Sequence, residues 1–266
     1  MQILLDGSNR VDLAIERLRA FEPREGYILC FSGGKDSTVL KALADIAGVK
    51  YEAHYHVTTI DPPPVLRFMR QHHPDVRFDP PTKRRSFAQA IGEMGFPLRH
   101  TRWCCKEFKE RKFPGRLLLL GIRKAERRAS AAKPGQRSSS GLVRFCQRTG
   151  ARAVQPIFDW SDGEVWSFIK SRGLPYCSLY DEGWLRIGCI CCPFASRAAI
   201  QRNRERWPAM FRAILRGFEQ RWETHWRHRS DIVLRFRDAR ALFEAWLCKN
   251  ATFAYQKPVK DLWTDT

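Results

Sequence analysis

Two sets of residues could do chemistry. The first is Ser32, Gly33, Gly34, Lys35, Asp36 and Ser37, which follow the apolar run GYILCF and precede the helical pattern DSTVLKALADIAG. Glycines let backbone N–H groups approach an anion, and a helix N-terminus adds partial positive charge. Lys35 adds a full charge, and Ser32 and Ser37 add hydroxyl donors. This is not the G-x-x-x-x-G-K-[ST] loop, because the first glycine is missing and an Asp follows the Lys. The second set is cysteine. Cys104 and Cys105 are adjacent, Cys189 and Cys192 form a C-x-x-C pair, and Cys191 sits inside that pair. Four thiols suit a 4Fe–4S cluster, a tetrahedral zinc ion, or redox-active or sulfur-carrying chemistry without metal. Neighbouring side chains diverge, so one of Cys104 and Cys105 could yield its place to Cys146. Cys191 reads as incidental to that chemistry. Cys30, Cys177 and Cys248 read as packing residues.

The elements that must position these residues alternate in type. Buried strands are expected over 26–31, 51–57 and 115–122, where short apolar runs lie between turn signals. Helices are expected over 11–21, 36–48 with Gly48 as C-cap, 63–74, 85–95, and 161–173 with Ser161 and Glu164 as a capping box. Strands alternating with helices imply a mostly parallel sheet. Residues 127–141 read as a basic Ser/Gly-rich loop. From about residue 197 the chain is helical in pattern, with twelve arginines between Arg197 and Arg240 and Trp207, Trp222 and Trp226 among them. The arginines suit phosphate contact and the tryptophans either base stacking or core packing.

The chain has 266 residues, 44% of them hydrophobic, enough for one large α/β domain with an appendage. No apolar run approaches the length of a membrane span, and MQILLDGSNR lacks a signal peptide's pattern, so a cytoplasmic protein with reduced thiols is expected. The net charge of +19 favours a polyanionic partner.

S-G-G-K-D-S, together with TTIDPP, RWCCKEFKE, GIRKAER, PIFDWSDGEVWSFI and PYCSLYDEGWLRIGCICCP, resembles the PP-loop ATP pyrophosphatases and the phosphoadenosine phosphosulfate (PAPS) reductase family across most of residues 26–195. The resemblance implies an adenine-nucleotide α-hydrolase-like fold: a Rossmann-like, doubly wound sheet over residues 1–196, followed by a basic helical extension over 197–266. It implies that Ser32 to Ser37 hold a phosphate or sulfate end, and that Lys35, Asp36 and Arg123 serve catalysis, Asp36 by organising the loop or Mg²⁺. It further implies that Thr59 and Asp61 face the adenosine, that Gly121 borders the nucleotide, and that Arg123, in G-I-R-x-x-E, clamps phosphate or substrate. In the iron–sulfur branch C-C…C-x-x-C ligates a 4Fe–4S cluster, which implies Cys104, Cys105, Cys189 and Cys192 as ligands. TTIDPPPV stands where PAPS and adenylylsulfate (APS) reductases carry a T-G-x-x-F-P-E-T-like stretch, and no E-C-G-[LI]-H motif follows. The chain therefore looks closer to the relatives that insert sulfur, such as the ATP pyrophosphatase of DNA phosphorothioation. On that resemblance the expected ligand is ATP, with PAPS or APS as the reductase alternative. The expected partners are a nucleic acid, DNA or tRNA, and a sulfur donor such as a cysteine desulfurase. A non-catalytic iron–sulfur protein that binds nucleic acid is the remaining reading.

Overall fold

The computed structural model describes residues 9–98, 101–109, 113–125, 141–146 and 150–248. The loop expected at 127–141 falls almost wholly outside them. The chain divides into two units, the first formed by residues 1–56, 63–79 and 110–188 and the second by 57–62, 80–109 and 189–266.

The first unit is built on six strands: β1 (Tyr27–Cys30), β2 (Tyr51–His56), β3 (Arg77–Asp79), β4 (Leu117–Leu119), β5 (Val143–Cys146) and β6 (Ala151–Val154), in the order β3-β2-β1-β4-β6-β5. All neighbours are parallel except β5, which runs antiparallel to β6 at one edge. Tyr27, Ile28 and Leu29 are all buried, as the continuous apolar run of a central parallel strand requires. The expected strands and helices are present, with ends shifted by a few residues. The sequence reading gave no strand for β3, β5 or β6, which are only three or four residues long.

From β1 the chain steps outward to β2 and β3, then returns to the other side of β1 as β4. The order therefore reverses between β1 and β4, the point at which open α/β sheets form a crevice at their carboxyl ends. Helix α1 (Arg10–Ala20) packs on α2 (Lys35–Ala47), and α3 (Pro63–His72) follows β2. Gly48 closes α2 in the left-handed conformation, its N–H reaching Ala44 and Asp45.

The second unit is helical: α4 (Phe87–Met94), α5 (Trp103–Phe108), and, beyond the first unit's α6 (Asp162–Ser171), α7 (Arg197–Arg206), α8 (Pro208–Thr224), α9 (Ser230–Val233) and α10 (Ala239–Leu247). Phe96 stacks on Phe218 at 5.4 Å, and Trp226 and Trp246 close around the same ring. Trp207 and Trp226 are buried, so they are core residues and not stacking platforms. The apolar area of Phe96, Phe218, Trp226, Phe243 and Trp246 is what packs α8 and α10 together beside the end of α4, each buried aromatic contributing roughly 2 kcal/mol or more. Among the described residues no helix is long and apolar enough to cross a membrane.

Candidate functional site

The loop after β1 and the loop after β4 meet at the switch point and line a cavity of about 500 Å³, within the range of a small-molecule site. Cys30, Ser32, Gly34, Lys35, Asp36, Ser37, Gly121 and Arg123 border it, so most of the residues singled out in the sequence are brought together. Cys30 is half-buried on this wall, where the sequence suggested plain packing, and burial pushes its thiol up to about 12. It is therefore a protonated lining group.

The turn is built for close approach. Gly33 has φ +70°, and a Cβ there would stand 2.8 Å from Val65 Cγ1 and 3.0 Å from Met69 Cγ of α3. Only glycine fits both constraints. At Gly121 a Cβ would come within 3.0 Å of the Asp36 carbonyl oxygen, so the missing side chain lets the β4 loop lie against the start of α2. Ser37 Oγ donates to the Gly34 carbonyl at 2.8 Å and accepts from Ser32 N at 3.2 Å. With its proton so used, Ser37 accepts from Ser32 Oγ at 3.1 Å. Both hydroxyls thus brace the turn, and the ligand-facing donors are backbone. Lys35 N donates to Tyr180 Oη at 2.9 Å. The N–H groups of Asp36 and Ser37, in the same first turn, have no acceptor among the described residues.

Charge is concentrated behind these donors. Arg123 is 2% exposed; its Nε donates to Asp36 Oδ1, its Nη2 to Asp162 Oδ1 at 2.8 Å, and its Nη1 to the Trp160 carbonyl at 3.3 Å. Lys35 Nζ lies 3.2 Å from Asp162 Oδ1 and 3.5 Å from Asp36 Oδ2. Burial alone would lower the Arg123 pKa, but Asp36 and Asp162 override it and hold the group charged. Burial alone would raise that of Asp162, but Lys35 and Arg123 hold its carboxyl below the usual carboxylate range. Burial raises the Tyr180 phenol, which stays a hydroxyl. Arg123 is therefore a buried organiser of two carboxylates. Asp162, Tyr180 and Arg186 complete the lining, and the sequence reading missed all three. For Asp162 a signal existed: it opens α6 directly after the capping residue Ser161.

Thr59 and Asp61 are not among the residues that line this cavity. Both belong to the second unit. Thr59 has φ +65°, a strained conformation for a β-branched residue, and its Oγ1 accepts from Phe87 N at 2.8 Å. Asp61 accepts from Thr58 Oγ1 at 2.6 Å and stands 3.7 Å from Cys189 Sγ.

That places Asp61 in a thiol-rich cluster of the second unit. Cys189 to Cys192 form a turn closed by Cys192 N on the Cys189 carbonyl at 3.2 Å. Ile190 pins the turn, donating its N–H to Ile60 and accepting from Asn203 Nδ2. Cys104 and Cys105 occupy the first turn of α5. A hydrogen bond with Cys105, burial, and the approach of Cys105, Cys189 and Cys192 together push the Cys104 thiol far up. Burial raises Cys189 to about 11 against the opposing pull of the Lys109 ammonium. Lys109 is itself held charged, above all by Cys189. Cys191 is 1% exposed and packs in the core. Cys177 is buried and Cys248 exposed. The side chain of Cys146 lies outside the described residues. Among the described residues, no three or more His, Cys, Asp or Glu side chains are grouped as a metal ion would need.

Comparison with known proteins supplies the family. Residues 26–195 match the phosphoadenosine phosphosulfate reductase domain. An uncharacterised protein of Methanocaldococcus jannaschii is 29% identical over 215 residues, 73% of this chain and 51% of that protein. A probable FAD synthase of Schizosaccharomyces pombe is 27% identical over 186 residues, 68% of this chain and 67% of the relative. An adenosine 5'-phosphosulfate reductase of Neisseria meningitidis is 34% identical over 86 residues, 30% of this chain and 35% of the reductase. The chain spans about half the length of the two Methanocaldococcus relatives it matches. The crystal structure of a phosphoadenylyl-sulfate reductase from Candida auris superposes with a TM-score of 0.48 at 16% identity, over 71% of this chain and 97% of that one. The match over residues 26–195, more than half the chain, makes this protein a member of the phosphoadenosine phosphosulfate reductase domain family.

Proposed function

We propose that the chain is an ATP-dependent, adenylating and pyrophosphate-releasing sulfurtransferase that replaces an oxygen of a nucleic acid by sulfur. The observation that carries this reading is the pair of carboxylates, Asp36 and Asp162, on the wall of a cavity otherwise equipped for phosphate. Lys35 and Arg123 offset part of that negative charge, and the oxygens of Asp36 and Asp162 remain hard donors that suit the magnesium complex of a nucleoside triphosphate. Hard oxygen donors fit that ion, which when bound neutralises charge on the phosphate oxygens and the leaving pyrophosphate. The N–H groups of Asp36 and Ser37 and the Lys35 ammonium orient the phosphates and stabilise charge that develops at the α–β bridge. An acceptor oxygen attacks the α-phosphorus and pyrophosphate leaves; the terminal sulfur of a persulfide carried by a donor such as a cysteine desulfurase then displaces AMP, and a thiol reductant cleaves the resulting S–S bond to leave sulfur on the acceptor.

Cys104, Cys105, Cys189 and Cys192 are the residues we assign to a 4Fe–4S cluster. The Cys104 thiol, raised by Cys105, Cys189 and Cys192 around it, is poor company as a free thiolate and a good ligand once iron neutralises it. A bound cluster supplies redox-tunable iron.

The test is anaerobic purification followed by incubation with α-labelled ATP and DNA or tRNA. AMP and pyrophosphate are expected, lost in Lys35→Ala, along with absorbance near 400 nm and about four irons per chain. Sulfite from PAPS or APS without α–β cleavage of ATP would establish the reductase reading instead.

A further inference from the structure

A groove of about 250 Å³ lies in the second unit between one face of α8 and one face of α10. Its floor is apolar: Phe211, Leu215 and Phe243. Its one carboxylate, Glu244, is saturated, both oxygens accepting from Arg204 of α7 at 2.7 Å. Arg212 and Arg240, both exposed, stand on the lining with no partner among the described residues. The helical spacing explains why. Arg212 has Pro208 and Arg216 four residues away, and Arg240 has Glu244, already occupied by Arg204. Two guanidiniums over a low-dielectric floor repel unless an anion bridges them. The segment 197–248 holds twelve arginines, these two included, against six Asp and Glu, so the field there favours a polyanion.

We infer that this groove seats the phosphodiester backbone of a nucleic acid, with Arg212 and Arg240 as paired phosphate contacts. The inference rests on the reading of a nucleic acid as acceptor and assigns it a surface outside the nucleotide cavity. Phosphate contacts by arginine position a strand without reading its sequence.

The test is anisotropy of a short labelled oligonucleotide, single- or double-stranded, titrated without ATP. The full chain is compared with Arg212→Ala/Arg240→Ala and with the equal-charge control Arg227→Ala/Arg237→Ala, whose arginines pair with Glu223 and Asp238. Losing two phosphate contacts flattens the log K against log salt slope by about 1.4 for a single strand, roughly a tenfold loss of affinity at about 0.15 M salt. The control should lose less than about twofold, and both variants should unfold like the parent. Equal losses in the two variants would overturn the groove assignment, as would full competition by millimolar inorganic phosphate. Absence of nucleic-acid binding with AMP release intact on another acceptor would overturn both the groove and the acceptor while leaving the ATP chemistry standing.

Discussion

Arg123→Met should cost more stability than any other single change at the nucleotide cavity. The guanidinium is 2% exposed and donates to Asp36, Asp162 and the Trp160 carbonyl. Methionine keeps most of the volume and removes the donors, so the loss is electrostatic and not a cavity. Breaking a buried ion pair by removing one partner costs about 3–5 kcal/mol. The Asp162 side chain is 62% exposed and recovers solvation, while that of Asp36 is 19% exposed and does not. The lower end, about 3 kcal/mol, is the expected loss. Urea unfolding at neutral pH, followed by tryptophan fluorescence, reads it directly. A double-mutant cycle with Asp36→Asn isolates the pair, with a coupling of about 1.5–2 kcal/mol expected. Arg123→Lys should fall between, because a lysine keeps the charge but not the fork that reaches three acceptors. A loss below about 1 kcal/mol in Arg123→Met, with no coupling to Asp36, would refute the view of Arg123 as organiser of the two carboxylates.

Gly33→Ala should destabilise by about 2 kcal/mol or more, since it forces a side chain into φ +70° and against Val65 and Met69; an unchanged unfolding midpoint would contradict the packing described. His73 is buried against Phe31 and Phe68, its Nε2 has no partner among the described residues, and burial lowers its pKa from 6.5 to about 4. The unfolded chain therefore takes up a proton that the folded chain refuses. Its contribution to stability is complete above about pH 6.5 and is lost as pH falls towards 4, by about 2–3 kcal/mol. Urea midpoints across that window should fall less in His73→Phe than in the parent, and parallel curves would refute the assignment.

The residues of the nucleotide loop were legible in the sequence because their signals are local. A buried apolar run, S-G-G-K-D-S and a helix closed by Gly48 lie within twenty-two consecutive residues, and each is decided by backbone propensity and capping. The capping box of Ser161 and Glu164 was legible for the same reason. Partners distant in the chain were not. Tyr180 reaches Lys35 across 145 positions and Arg123 reaches Asp36 across 87, and neither pairing has a period or a spacing to betray it. Tertiary structure also chose between roles that composition leaves open. It buried Trp207 and Trp226, placed Asp61 beside Cys189, and occupied Glu244 with Arg204, so that Arg212 and Arg240 have no partner among the described residues. Residue type sets what a side chain can do; which charge meets it, and whether water does, is fixed only when the sheet and helices pack.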